Sequence, residues 1–186
     1  MREIKKLVTN LPWEPQHRAL LEQAAPEAQI VYVSMQDAET LQREMADATV
    51  ALIIGRPDIS AAKQLAWMHW DAAGLDAIAQ KDYIDAGFDI TGSAGRNAEA
   101  LAEHCIYFML LHAYHTRDAL AAQAAHRWGG YARPTELHAL FSQTVGIVGM
   151  GYTGKALASR CKALGMRVLA YSRHASDCPD VDEMYA

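Results

Sequence analysis

Cysteine is scarce in this sequence, and its placement excludes two common small-domain frameworks. Cys105, Cys161 and Cys178 are the only three. They are odd in number and far apart, and no Cys-x-x-Cys pair suggests a disulfide network or a zinc ribbon. They read as reduced thiols of a cytoplasmic protein. A basic surplus is also missing: a formal net charge of −5 leaves nothing to neutralise a phosphate backbone, which argues against nucleic-acid binding. Long hydrophobic runs are absent too. The longest, Cys105 to Leu111, falls far short of the roughly 20 residues of a membrane span. Leu7-Val8 runs at once into Asn10 and Pro12, too soon for the apolar centre of a signal peptide. There is no internal repeat or low-complexity tract. His112 and His115 stand three apart in a helical pattern, but without an acidic or cysteine partner to complete a metal set, so no metal site is expected.

What is present is apolar material: 51% of 186 residues, enough for one large domain or two small ones. Over the first hundred residues, short β-rich runs alternate with helical patterns. Leu7-Val8, Ile30 to Val33, Val50 to Ile54 and Trp67-Met68 form one set; Gln16 to Ala25 and Ala38 to Ala46 form the other. That rhythm predicts an α/β architecture with a parallel sheet covered by helices. The run ending at Ile54 is apolar on both faces, as a central strand would be, and it stops at Gly55-Arg56-Pro57. Loops at such carboxyl ends are where ligands bind in these sheets. Next, Asn97 is expected to cap a helix running to about Arg117, apolar nearly all round and therefore buried between domains or subunits. A more polar helix from Asp118 to Arg127 leads into a loop around Trp128-Gly129-Gly130.

The segment with chemical content starts at Thr144. A β-type run, Thr144 to Val148, is followed by Gly149-Met150-Gly151-Tyr152-Thr153-Gly154, then by a helical pattern from Lys155 to Leu164 and a second strand from Met166 to Tyr171. This is a βαβ dinucleotide unit up to its second strand. Gly149 permits the tight turn, Gly151 lets backbone approach a pyrophosphate, and Gly154 lets helix and strand pack closely. The helix N-terminus then offers unpaired N–H groups to phosphate. Residues 149–154 are the candidate cofactor-binding loop. After the second strand an NAD-preferring site would carry Asp or Glu for the ribose hydroxyls; here Tyr171 is followed by Ser172-Arg173-His174. Ser172 and Arg173 suit a 2′-phosphate, so NADP is expected over NAD.

Thr144 to Arg173 resembles the nucleotide-binding start of the D-isomer-specific 2-hydroxyacid dehydrogenases. Two upstream stretches are similar to the same family: Leu65 to Asp76 to its substrate loop, most nearly in the glyoxylate and hydroxypyruvate reductase branch, and Phe88 to His104 to the segment that crosses between its domains. The resemblance implies a flavodoxin-like substrate domain over residues 1–96, connecting and dimerisation helices over 97–142, and the first elements of a Rossmann domain over 143–186. It implies that Ala73 and Gly74 meet a substrate carboxylate through backbone amides, with Gly55 and Arg56 lining the same site. It also implies a homodimer and a small 2-keto or 2-hydroxy acid as substrate.

The family's catalytic Arg, Glu and His lie in the second half of the nucleotide domain or beyond it. None has a counterpart before Ala186, so the chain reads as truncated, with only two strands of the nucleotide sheet and an uncovered edge at Val168-Leu169. No catalytic residue is assigned within it. His69, just ahead of the substrate loop, is the histidine singled out for test. Two other readings stay open: a noncatalytic module that binds a dinucleotide or associates with a partner, and another enzyme built on the same glycine motif.

Overall fold

Two short segments, Lys6–Thr9 and Val50–Ile53, are buried at every position, and both lie inside a five-stranded parallel sheet. Strands buried on alternate and intervening residues alike need cover on both faces, and helices supply it. The computed structural model describes residues 3–129, 137–174 and 177–186. The chain divides into two units between Ala94 and Gly95.

In the first unit the strands are β1 (Lys6–Thr9), β2 (Gln29–Tyr32), β3 (Val50–Ile53), β4 (Trp67–Trp70) and β5 (Asp89–Gly92), in the order β2-β1-β3-β4-β5. This is the flavodoxin-like doubly wound order. The helices are α1 (Pro15–Ala24), α2 (Ala38–Met45) and the single turn α3 (Lys81–Ile84). The two-residue period of each strand sorts its side chains between two cores. Val8, Ala51, Ile53, Met68 and Trp70 meet Leu41, Met45, Ile78 and Tyr83 on one face. Leu7, Val50 and Leu52 meet Leu21, Ile30 and Trp67 on the other. Helix α2 starts where the Asp37 carboxylate accepts the Thr40 amide at 2.9 Å, which orients its Leu41 and Met45 inward.

One charge is buried in β1. Lys6 donates from Nζ to Glu44 Oε2 at 2.9 Å and to Asp47 Oδ1 at 2.5 Å. Burial pulls its pKa down, but the hydrogen bonds to Asp47 and Glu44 outweigh burial and leave it raised.

The second unit holds α4 (Ala98–Ala113), α5 (Thr116–Ala124), β6 (Thr144–Val148), α6 (Tyr152–Ala163), β7 (Arg167–Tyr171) and β8 (Glu183–Tyr185). Its parallel sheet runs β6-β7-β8. Ala102 of α4 and Leu157, Ala158 and Cys161 of α6 form a shared core with Ile147, Val168 and Ala170. Arg160 on α6 ties the helices at their surface, donating to Glu99 at 2.5 Å and to Glu103 at 3.4 Å.

Three expectations change here. The nucleotide sheet has three strands, not two: β8 pairs with β7, matching Leu169 to Glu183 and Ala170 to Met184, so the expected bare edge is covered and Val168 is fully buried. The strand escaped notice because Glu183, Met184 and Tyr185 show no apolar alternation long enough to register. The long helix stops at Ala113, where His115 takes a left-handed backbone conformation at φ 45°, and α5 resumes at Thr116. Asn97 sits at the N-cap of α4, just before its first residue, without a side-chain capping bond. Only Ala98, Ala102 and Ala113 are fully covered, while Leu101, Tyr107, Phe108 and Leu110 are exposed. Part of the loop expected around Gly130 lies outside the described residues. No helix among the described residues is long and apolar enough to cross a membrane.

Candidate functional site

The glycine loop lies where β6 ends and α6 begins, and each glycine is glycine for a different reason. Gly149 has φ 98°, a conformation costly for any other residue, and its amide donates to Tyr171 O at 2.8 Å, tying the turn to the end of β7. A Cβ on Gly154 would overlap the Gly149 carbonyl oxygen, so the first turn of α6 can lie against the loop only without a side chain there. Gly151 differs: a Cβ on it would meet nothing within 4 Å. No internal contact explains its lack of a side chain; a ligand approaching the backbone from outside would. Among the described residues no acceptor within the chain takes the amides of Met150, Gly151, Tyr152, Thr153 or Gly154. The last three open α6 and carry the positive end of its dipole.

Ser172 follows β7 beside this loop; its amide donates to Tyr185 O at 2.9 Å and its hydroxyl to His174 O at 3.3 Å. Arg173 is exposed. The loop, Ser172 and Arg173 therefore stand together at the carboxyl edge of one sheet, a set of donors and positive charge suited to a dinucleotide phosphate.

At the carboxyl end of the first unit's sheet, β3 and β4 are neighbours, which brings Gly55 and Arg56 to the same edge as Ala73 and Gly74. The loop after β4 is held from several sides. The Asp71 amide donates to Ile53 O at 2.8 Å, the Ser93 amide to Ala72 O at 3.0 Å, and the Trp70 indole to Gly74 O at 3.1 Å. Gly92 lets this loop lie flat on β5, since a Cβ there would come within 2.8 Å of Leu75. Among the described residues the amides of Gly55, Arg56, Ala73 and Gly74 have no acceptor within the chain. Backbone donors free of bulky side chains are what a carboxylate needs.

The loop after β3 is equally well held. Buried Asn10 donates to Ile54 O at 2.8 Å and accepts from Ile54 N at 2.9 Å. Tyr83 donates its hydroxyl to Pro57 O at 2.5 Å, and burial pushes that hydroxyl's pKa up to about 12. Arg56 pairs with Asp82 at 3.3 Å, with both side chains about half exposed. An exposed pair of this kind contributes about 0–1 kcal/mol, so little holds the guanidinium there.

Residues 106–186 match the model of the D-isomer specific 2-hydroxyacid dehydrogenase NAD binding domain. Over this stretch the chain is similar to the NAD binding domain of that dehydrogenase family. It is 26% identical over 152 residues to a glyoxylate reductase of Korarchaeum cryptofilum, covering 81% of this chain and 44% of that protein. It is 34% identical over 119 residues to a D-3-phosphoglycerate dehydrogenase of Archaeoglobus fulgidus, covering 63% of this chain and 22% of that protein. The chain thus spans less than half the length of these relatives. Its fold superposes on a D-isomer specific 2-hydroxyacid dehydrogenase family protein from Aeromonas salmonicida with a TM-score of 0.80 at 20% identity, over 97% of this chain and 57% of that one.

The sequence pattern singled out the loops and missed what holds them. Asn10, Trp70, Tyr83, Thr91 and Ser93 were not flagged. A buried Asn directly after a strand was the one available signal, since such an amide must find partners. His115 does have one acidic neighbour, Asp118, 3.5 Å from its Nδ1.

Proposed function

We propose that this chain provides part of an NAD(P)-dependent oxidoreductase that reduces a small 2-keto acid, such as glyoxylate or hydroxypyruvate, by hydride transfer. The supporting observation is that each unit presents unpaired backbone amides at the carboxyl edge of its sheet: Gly55, Arg56, Ala73 and Gly74 on one, residues 150–154 on the other. In this reading residues 1–96 are the substrate domain, 97–142 the connecting and dimerisation helices, and 143–186 the start of the nucleotide domain. The cofactor supplies the hydride when bound; the chain orients it through residues 149–154. The substrate carboxylate takes the amides of Ala73 and Gly74, with Gly55 and Arg56 beside it.

In this reading none of these 186 residues is assigned to proton exchange or carbonyl polarisation. Ser172 and Arg173, with no carboxylate next to them in sequence, favour NADPH over NADH. The exposed apolar side chains of α4 favour a homodimer built on that helix. They equally support a second reading, a catalytically inactive dinucleotide-binding and dimerising module.

Titration of the purified chain with NADPH and NADH, followed by nicotinamide fluorescence, tests the cofactor half. Saturable binding that favours NADPH is expected. No binding of either nucleotide would overturn the reading for this chain. Glyoxylate-dependent oxidation of NADPH by the chain extended through the family's remaining length would separate the enzyme from the module.

A further inference from the structure

Four polar side chains and one indole form a continuous hydrogen-bonded line across the ends of β4 and β5. The Trp67 indole Nε1 lies 2.9 Å from Thr91 Oγ1, and Thr91 Oγ1 lies 2.9 Å from His69 Nδ1. His69 Nε2 lies 3.0 Å from Ser93 Oγ, and Ser93 Oγ lies 3.2 Å from Asp71 Oδ1. The ends of this line have fixed roles. An indole N–H can only donate, and an ionised carboxylate can only accept.

With a neutral ring between them, those two constraints settle every proton. Ser93 has one hydroxyl hydrogen and must give it to Asp71, since two oxygens facing each other without a proton repel; it therefore accepts from His69. A neutral ring that donates from Nε2 accepts at Nδ1, so Thr91 donates to His69 while accepting from Trp67. All bonds run one way, from Trp67 to Asp71, and bonds aligned in this manner reinforce one another.

We infer that His69, as its Nε2-protonated tautomer, is a positioning residue that orients Asp71 through Ser93 and so holds the loop carrying the Ala73 and Gly74 amides. This rests on the proposed reading of that loop as a carboxylate site. Asp71 begins the loop and carries a negative charge next to the place an anionic substrate must enter. Keeping that carboxylate engaged with Ser93 keeps it off the amides. The Ser93 amide also bonds Ala72 O at 3.0 Å, so the same residue holds both the loop's backbone and its first side chain.

The test uses the 186-residue chain labelled with 15N, at an alkaline pH where the ring's own 15N shifts show it to be neutral. Long-range 1H–15N correlation reads the tautomer directly. A single Nε2–H form is expected; an Nδ1–H form overturns the inference. Hydrogen exchange of the Ser93 amide is then compared in wild type, His69→Leu and His69→Gln. Gln ends in a donor group and an acceptor group, as the neutral ring does, and can carry the line in the same direction. Leu is expected to accelerate exchange roughly fivefold, the worth of about one hydrogen bond, with Gln restoring protection. Equal exchange in all three overturns the positioning role. Should Leu prevent folding, Ser93→Ala replaces it and is expected to speed exchange of the Asp71 amide, which bonds Ile53 O at 2.8 Å; unchanged exchange overturns the positioning role.

Oxalate, a stable dicarboxylate stand-in for a 2-keto acid, is titrated in parallel while the Ala73 and Gly74 amide signals are followed. Movement in wild type and His69→Gln but weaker movement in His69→Leu supports both readings. No movement in wild type sinks the carboxylate site alone, because the tautomer and the exchange rates still decide the role of His69.

Discussion

The side chain of Asn10 occupies the place of one more residue of β1 and pairs with Ile54 as a strand neighbour would, donating at 2.8 Å and accepting at 2.9 Å. The pairing carries the sheet one step beyond Thr9 and sets the direction in which Gly55 and Arg56 leave it. Asn10→Ala leaves an Ile54 N–H and C=O buried without partners. Unpaired groups of this kind cost about 1–3 kcal/mol each, so urea unfolding is expected to show a loss of several kcal/mol. Asn10→Asp keeps one bond and sets an oxygen against the Ile54 carbonyl, so at neutral pH it should lie no higher in stability than the Ala variant.

Gly151 and Gly154 should separate binding from folding. Gly154→Ala forces α6 away from the Gly149 carbonyl, and overpacking of this kind typically costs about 1–3 kcal/mol. It should lower the melting temperature and abolish nucleotide binding together. Gly151→Ala meets nothing inside the chain and should melt as wild type does, while NADPH affinity falls at least tenfold. Unchanged affinity in Gly151→Ala would remove the open approach to this backbone as the basis of the site.

Arg173 should govern cofactor choice. Arg173→Ala is expected to weaken NADPH about tenfold or more, the loss of one charge-assisted contact of roughly 1.5–3 kcal/mol, with NADH nearly unchanged. Equal losses for both nucleotides would show that the residue does not read the 2′-phosphate. Introducing a carboxylate with Ser172→Asp should move preference toward NADH.

The sheet edge at β8 should be acid-sensitive. Hydrogen bonds from Lys162 and from the Val168 amide, at 2.8 Å, hold the Asp182 carboxyl below its ordinary value of 3.8. A carboxyl whose folded pKa is depressed binds its proton more readily in the unfolded chain. Its contribution is therefore complete above the ordinary value and disappears as pH falls through the lower, folded one. Unfolding followed by circular dichroism between about pH 5 and pH 2 should show the second unit losing stability across this range, and Asp182→Asn should flatten the dependence. A wild-type slope retained in Asp182→Asn would place the acid sensitivity elsewhere.

The α4 surface should set the oligomeric state. Phe108→Glu puts a charge among exposed Leu101, Tyr107 and Leu110. Sedimentation equilibrium is expected to show a dimer in wild type and a monomer in this variant; a monomeric wild type would end the homodimer reading.

The parts of this molecule that were legible in the sequence are those governed by short-range rules. β3 was readable because a central strand must be apolar on both faces, and the glycine loop because backbone geometry and close packing each require particular glycines. The third strand of the nucleotide sheet was not readable. Glu183 and Tyr185 satisfy one another and Arg167 at its exposed edge, so neither apolar period nor length marked it. The supports of the candidate site were hidden for a related reason. Asn10 meets Ile54 forty-four residues away, and Tyr83 meets Pro57 across twenty-six, separations at which a linear pattern carries no signal. Exposure of α4 was unreadable as well, since an apolar helix looks the same in sequence whether its own chain or a second copy covers it.

The sheet of the second unit runs β6-β7-β8, each strand beside the one that precedes it in the chain. Its pairings form in the order of synthesis, with α6 as the bridge between the first two and no strand waiting for a later one to be inserted. Short sequence separation between partners favours fast folding, and domains emerging from a ribosome fold from the N-terminus onward. The glycine loop between β6 and α6 is therefore closed as soon as β7 arrives to accept the Gly149 amide. A nascent chain could accordingly close this glycine turn before β8 has been translated.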